Sequence, residues 1–129
     1  MAKFECIIPN TYDFDETLTY FHNHIMNSGI SASFEDGSDY RVGDTRLSVR
    51  VYERYTLMGG NRLSMTMTFA CTGEGKEIFA SAITSGGGQG VVKIIGWGED
   101  SFLAFFQEAA KLFQGMRPVK TFDPFYGNP

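Results

Sequence analysis

Two neighbouring stretches near the middle of the chain alternate between apolar and polar residues, with the two-residue period of a half-buried β-strand. The first covers residues 45–57 and the second covers residues 62–72. In the first, the apolar row is Leu47, Val49, Val51, Tyr55 and Leu57. In the second, it is Leu63, Met65, Met67, Phe69 and Cys71. The alternation predicts two antiparallel strands with a common core-facing side.

The length of the loop between these strands decides which residues face each other. A three-residue loop at positions 58–60 would place Tyr55 opposite Leu63 and Val51 opposite Met67. Both apolar rows then lie on one side of the sheet, and a glycine is available for the left-handed position that such loops need. A two-residue loop would instead set a polar row beside an apolar one. We therefore predict the three-residue loop.

Further strands are expected on both sides of this hairpin. Residues 4–8 alternate, residues 30–35 alternate before a turn predicted at positions 36–39, and residues 77–84 follow the hairpin. The sequence does not decide which face of the segment 77–84 is buried. Residues 91–95 are either a sixth strand or a packed connector.

Two segments show the 3.6-residue period of amphipathic helices. The first begins after Asp13, a capping residue, and ends before Gly29. Its apolar stripe consists of Phe14, Leu18, Phe21 and Ile25. The second covers residues 101–114, and its largely aromatic stripe consists of Phe102, Phe106, Ala109 and Phe113. The predicted fold class is α+β, a β-α-β(4–5)-α two-layer sandwich with an antiparallel sheet packed against helices.

A helix-grip architecture is the alternative for this fold, because the order of elements is similar to that of START-like lipid and hormone carriers. Those carriers have more helix after the first strand than this chain offers. The similarity concerns architecture alone and does not fix function.

The 129 residues fit one domain. We expect it at residues 1–115, followed by an irregular tail at residues 116–129. No stretch approaches the roughly 20 apolar residues that span a membrane, and the first residues lack a secretion signal, so a cytoplasmic location is expected. The net charge of −4 argues against nucleic acid as a partner, because such binding needs a basic surface.

No metal site or cofactor site is expected. His22 and His24 are two residues apart on a predicted helix and point in different directions, so they cannot chelate one ion. Cys6 and Cys71 have no nearby second ligand pair and are interpreted as buried apolar residues. The glycine-rich run at residues 85–90 lacks the pattern of a nucleotide-binding loop.

Glu53 interrupts the apolar row of its strand. A bulge or a sheet edge explains such a carboxylate; a buried one would have to be paired or neutral, and could anchor a ligand. We therefore consider a small apolar pocket beneath the last helix, with Glu53 as its polar anchor and Trp97, Phe102 and Phe106 as its lining.

The polar row of the first central strand is the second candidate. It carries Arg46, Arg50, Tyr52 and Arg54, and the predicted register adds hydroxyl side chains from the next strand. Such a face could bind an anion or form an interface. A solvated or self-associating outer face explains the same pattern, and we favour that interpretation.

Three short stretches resemble a known group of proteins. They are SAITSGG at residues 81–87, KII at 93–95 and WGE at 97–99. Together they resemble a family of short uncharacterised bacterial proteins, over residues 30–113. The resemblance implies a small bacterial domain of unknown role and no catalytic residues.

These observations favour a non-enzymatic module that binds a small ligand or another protein. A homodimer, formed through the face around Arg50, Tyr52 and Thr66 or through a strand edge, is the alternative. An enzyme that uses Glu53 is a weaker alternative, because no partner constellation accompanies that carboxylate.

Overall fold

A computed structural model describes residues 2–28, 31–55, 62–86 and 99–119. The elements in chain order are β1 (Ala2–Ile8), α1 (Phe14–Met26), β2 (Ala32–Val42), β3 (Thr45–Tyr55), β4 (Arg62–Cys71), β5 (Ile78–Gly86), α2 (Glu99–Lys111) and β6 (Arg117–Pro118). The strands form one antiparallel sheet in the order β2-β3-β4-β5-β1-β6. The α+β class is therefore confirmed.

Both helices pack on the same side of the sheet. The ring of Phe21 on α1 lies 5.1 Å from that of Phe69 on β4, and Phe106 on α2 lies 6.2 Å from Phe4 on β1. Within the described ranges no element covers the opposite side, which we call the outer face. The core fills the space between the helices and the sheet.

Local sequence explains the start and the orientation of α1. The carboxylate of Asp13 accepts a hydrogen bond from the backbone N–H of Glu16 at 2.9 Å, as expected for an N-cap. The predicted apolar stripe is buried, with Phe21 and Ile25 inaccessible to solvent. On β5 the structure resolves the ambiguous face, because Ile78, Ala80 and Ala82 point into the core.

The predicted register of β3 and β4 is wrong by one residue. Tyr52 lies opposite Met65, and Arg54 lies opposite Leu63. Because a shift of one residue exchanges the faces of a strand, the polar row of β3 points toward the helices and its apolar row lies on the outer face. Sequence alternation could not reveal which row of β3 is buried, because it assigns Tyr52 to the polar row, whereas the ring of Tyr52 is buried in the core.

The predicted turn at residues 36–39 is also wrong. β2 continues through these residues, with a β-bulge between Phe34 and Asp36. The turn instead lies between Val42 and Thr45, where Gly43 has a φ of 59° and supplies the left-handed conformation of a two-residue hairpin. A bulge absorbs the irregular pattern without ending the strand.

The chain after α2 returns to the sheet. β6 pairs with Cys6 and Ile7 of β1, and the N–H of Val119 donates to the carbonyl of Glu5 at 2.9 Å. This short strand lies in the segment where we expected an irregular tail. The candidate strand at residues 91–95 lies outside the described residues.

Candidate ligand-binding groove

The residues expected to form a pocket beneath α2 are not brought together. Glu53 lies on the outer face, opposite Ser64, and its carboxylate is 3.2 Å from the guanidinium of Arg62. Phe102 and Phe106 are fully buried on the helix side of the sheet. One pocket cannot include residues from both faces, so the predicted combination is wrong. Trp97 lies outside the described residues.

Aromatic side chains fill the space beneath α2. The ring of Phe106 stacks on Phe21 with a centroid distance of 4.7 Å, and Phe69 and Phe4 pack around it at 6.4 and 6.2 Å. Phe102 is inaccessible to solvent. The aromatic stripe of α2 is thus part of a packed core.

The polar row of β3 does not lie on a solvated outer face, which corrects the second candidate. Arg46 makes two hydrogen bonds to Asp15 of α1, at 2.8 and 3.1 Å, and its guanidinium lies over the ring of Phe14. Arg50 is paired with Asp39 of β2 at 3.1 Å. These arginines therefore tie β3 to its neighbours, and their charges are matched within the fold.

Tyr52 and Arg54 occupy buried positions in the same row. Tyr52 is inaccessible to solvent, and its hydroxyl lies 2.6 Å from Nδ1 of His22 on α1. Burial raises the pKa of Tyr52 to about 12. The buried Nε of Arg54 has no hydrogen-bond partner among the described residues, and burial lowers the pKa of this arginine.

A charged cleft of about 320 Å³ lies beside the N-terminus of α1. Its charged lining comprises Asp13, Asp15, Arg41, Asp44, Arg46, Glu74 and Lys76. Three cations and four carboxylates leave no strong preference for either sign, and Arg46 is already paired with Asp15. The cleft therefore does not indicate a ligand class.

A second cavity, of about 360 Å³, lies between α1 and the residues that follow α2. We call it the helix groove, and its described lining is Thr11, Tyr12, Asp13, Glu16, Thr17, Tyr20, Leu112 and Phe113. Its volume falls within the range of roughly 300–1,000 Å³ typical of small-molecule sites. Its walls are mainly apolar and aromatic, which is also typical of such sites.

Three aromatic rings build the walls of the helix groove. Tyr12 and Tyr20 both stand nearly perpendicular to Phe113, with centroid distances of 4.8 and 5.2 Å. Phe113 is itself stacked on the core residue Phe21, at 5.5 Å and an interplanar angle of 9°. The hydroxyl of Tyr12 accepts a hydrogen bond from the N–H of Gln114 at 2.9 Å. These contacts connect the groove to the packed core and hold its walls in place.

Two residues that line the helix groove carry hydroxyl groups without a hydrogen-bond partner in the described part of the chain, and each hydroxyl oxygen exposes less than 1 Å². Thr17 is only 2% exposed, and neither its Oγ1 nor the hydroxyl of Tyr20 has a partner among the described residues. Burial raises the pKa of Tyr20, so its phenol remains a neutral donor at physiological pH. A buried polar group without a partner costs about 1–3 kcal/mol, and a ligand that bonded to it would recover part of that free energy.

The charged lining of the helix groove is acidic. Asp13 and Glu16 contribute carboxylates, and the described lining contains no lysine, arginine or histidine. Asp13 is engaged as the N-cap of α1. The carboxylate of Glu16 is exposed and has no ion pair among the described residues. The groove therefore has a negative charge at its rim and aromatic walls.

The sequence did not single out this groove, although one signal was present. Asp13, Glu16, Thr17 and Tyr20 recur at i, i+3, i+4 and i+7, which places them on one face of α1 beside the apolar stripe. The other wall comes from Phe113, more than 90 residues later. Sequence spacing does not reveal that contact.

The structure defines the class of protein: an α+β domain with helices on one face of an antiparallel sheet and a small aromatic groove between them. The chain belongs to DUF6054, a family of unknown function, and the sequence model of that family matches residues 1–114. Neither a curated protein nor a solved structure matches the chain. In the described part of the chain, no helix has the length and apolar character needed to cross a membrane.

Proposed function

We propose that this protein is a small-ligand-binding module whose site is the helix groove. The observation that carries the proposal is the hydroxyl of Thr17, a residue of the groove lining, which is buried and has no partner among the described residues. Folded domains pair nearly all such groups with protein atoms, ordered water or a bound molecule, and we assign the missing partner of Thr17 to a ligand. The aromatic walls would contact an apolar body, and the Thr17 and Tyr20 hydroxyls would bind a polar group of the same ligand after their side chains rotate toward the groove, because each oxygen now exposes less than 1 Å².

The alternatives from the sequence have less support. Glu53 is ion-paired with Arg62 and partly exposed, so the enzyme hypothesis has lost the buried carboxylate on which it depended. Arg50 and Thr66 lie on opposite faces, so they cannot form one dimer interface. A dimer through a strand edge and a helix-grip carrier architecture remain predictions.

Neutral alcohols with an apolar body provide the first test of the groove. Benzyl alcohol and 3,3-dimethyl-1-butanol both combine an apolar body with one hydroxyl. We expect saturable binding of each in an NMR titration. Thr17→Val, which removes the hydroxyl and keeps the shape, should weaken both by roughly twofold to tenfold. Thr19→Val is the matched control, because Thr19 is exposed on the same helix and does not line the groove.

Two outcomes would contradict the proposal. One is that neither alcohol binds and that choline, tested in parallel, does not bind either. The other is that the alcohols bind with the same affinity to the wild type, Thr17→Val and Thr19→Val, because binding would then not involve the groove hydroxyl.

A further inference from the structure

We infer that the helix groove selects an organic cation, specifically an alkylated ammonium group carried by a small molecule with a hydrogen-bonding arm. This inference rests on the proposed function and adds the chemical class of the ligand. It follows from three features of the residues that line the cavity: perpendicular aromatic walls, and one carboxylate and two hydroxyls that have no partner within the described ranges.

The aromatic walls suit a cation that has lost part of its hydration. Tyr12 and Tyr20 stand nearly perpendicular to Phe113, so the three rings do not lie in one plane around the cavity. The face of an aromatic ring is negative, and several rings in different orientations are the known setting for quaternary ammonium ligands. An alkylated ammonium also presents apolar carbon atoms, which fit these walls better than a strongly hydrated ion does.

The carboxylates determine the sign of the preferred charge. Glu16 and Asp13 lie at the groove, and no basic residue accompanies them in its described lining. An anionic ligand would be repelled there, whereas a cation would be attracted over a distance of several ångströms. The helix dipoles add no net preference, because the groove lies beside both the negative C-terminus of α2 and the positive N-terminus of α1.

The unpartnered hydroxyls require a second group on the ligand. A quaternary ammonium has no N–H to donate, so it cannot satisfy Thr17 Oγ1 or the hydroxyl of Tyr20. A ligand with a hydroxyl or carbonyl arm a few bonds from the ammonium would place its charge among the rings. Its arm would reach these oxygens after the two side chains rotate toward the groove, because each oxygen now exposes less than 1 Å². Choline is the simplest probe with both parts.

Choline and 3,3-dimethyl-1-butanol allow a direct test, because they have nearly the same shape and differ in charge. Calorimetric titrations of both should be performed with the full chain at one low ionic strength. We expect choline to bind about tenfold more tightly than the neutral alcohol. Its affinity should also fall as salt is raised, while that of the neutral alcohol should change little.

Variants separate the contribution of charge from that of shape. Glu16→Gln should lower the affinity for choline about threefold to tenfold and change the affinity for the neutral alcohol by no more than about twofold. Glu74→Gln, which removes a charge from an exposed residue outside the groove, should change neither. Tyr20→Leu should lower the affinity for choline more than the affinity for the alcohol, because the substitution removes a ring face but keeps apolar volume.

The outcomes distinguish this inference from the proposed function. If the neutral alcohol binds as tightly as choline, or if Glu16→Gln affects both equally, selectivity for a cation is overturned and the ligand groove stands. If neither probe binds at any concentration tested, both statements fail. Tighter binding of choline that depends on Glu16 and not on Glu74 supports the inference.

Discussion

The hydroxyl of Tyr52 on β3 lies 2.6 Å from Nδ1 of His22 on α1, and this hydrogen bond joins the helix to the sheet. Phe34 of β2 packs against both rings, at 5.6 Å from Tyr52 and 5.7 Å from His22. This relationship explains why a tyrosine occupies a core position between two arginines.

Tyr52→Phe removes this hydrogen bond and keeps the ring. We expect the free energy of unfolding to fall by about 1 kcal/mol, the usual net value of such a bond. Urea denaturation measures the change. Tyr40→Phe is the control, because Tyr40 is 63% exposed and should lose almost nothing. Equal effects of the two substitutions would contradict the buried position of Tyr52.

Alkaline pH should destabilise the fold through two buried groups. Burial raises the pKa of Cys6 from 9.0 to about 11 and that of Tyr52 from 10.0 to about 12. Because both pKa values are higher in the folded chain, the contribution of each neutral group to stability is complete below pH 9. The contribution of Cys6 is lost between about pH 9 and 11, and that of Tyr52 between about pH 10 and 12. Each shift corresponds to about 2 to 3 kcal/mol.

Urea midpoints measured from pH 8 to pH 12 provide the readout for this alkaline transition. Tyr52→Phe should remove the upper part of the decline and leave the part below pH 10. A decline of the same size and shape in Tyr52→Phe would show that Tyr52 ionises equally in the folded and unfolded chains.

Thr17→Val should make the unliganded protein more stable. The substitution replaces a buried hydroxyl that has no described partner by a methyl group of similar size, so we expect a gain of up to about 1 kcal/mol. Thr19→Val on the exposed side of α1 carries the same change in helix propensity and is the control. Thermal unfolding of both variants tests this, and a loss for Thr17→Val relative to Thr19→Val would contradict it.

Gly86 and Gly75 should respond differently to alanine. Both have a positive φ, of 93° and 71°. A Cβ at Gly86 would come within 2.7 Å of the carbonyl oxygen of Arg62, whereas one at Gly75 would meet no atom within 4 Å. We expect Gly75→Ala to cost about 1 kcal/mol and Gly86→Ala to cost clearly more, because steric overlap is added to the same backbone strain. Equal unfolding free energies would contradict the close approach of β4 and β5 at this position.

Local patterns predicted the elements better than their arrangement. The 3.6-residue stripe and the Asp13 cap predicted α1, and alternation predicted β3 and β4. The register failed because the alternation rule counts Tyr52 as polar and Val49 as core, while the sheet buries the ring of Tyr52 and leaves the outer face partly apolar. Ion pairs from Arg46 to Asp15 and from Arg50 to Asp39 neutralise the arginines that this register places on the helix side of the sheet. No local sequence rule predicts these pairs.

The groove depends even more on tertiary contacts. From the sequence, Thr17 is an ordinary helix residue. That its hydroxyl has no partner in the described part of the chain can be seen only from the folded structure. The sequence pattern predicts Phe113 as part of a core stripe, and it does stack on Phe21, but it also makes nearly perpendicular contacts with Tyr12 and Tyr20. A residue that serves both core and groove cannot be recognised from periodicity.

The location of the ligand site can be measured most directly by NMR with a ¹⁵N-labelled chain and choline as the probe. Added choline should shift the backbone amide signals of Thr17, Tyr20 and Phe113 along one saturable curve. Signals of Thr66 and Thr68, on the outer face of the sheet, should not move. Shifts confined to the outer face, or no saturable shift with choline or with either neutral alcohol, would contradict the assignment of the helix groove as the ligand site.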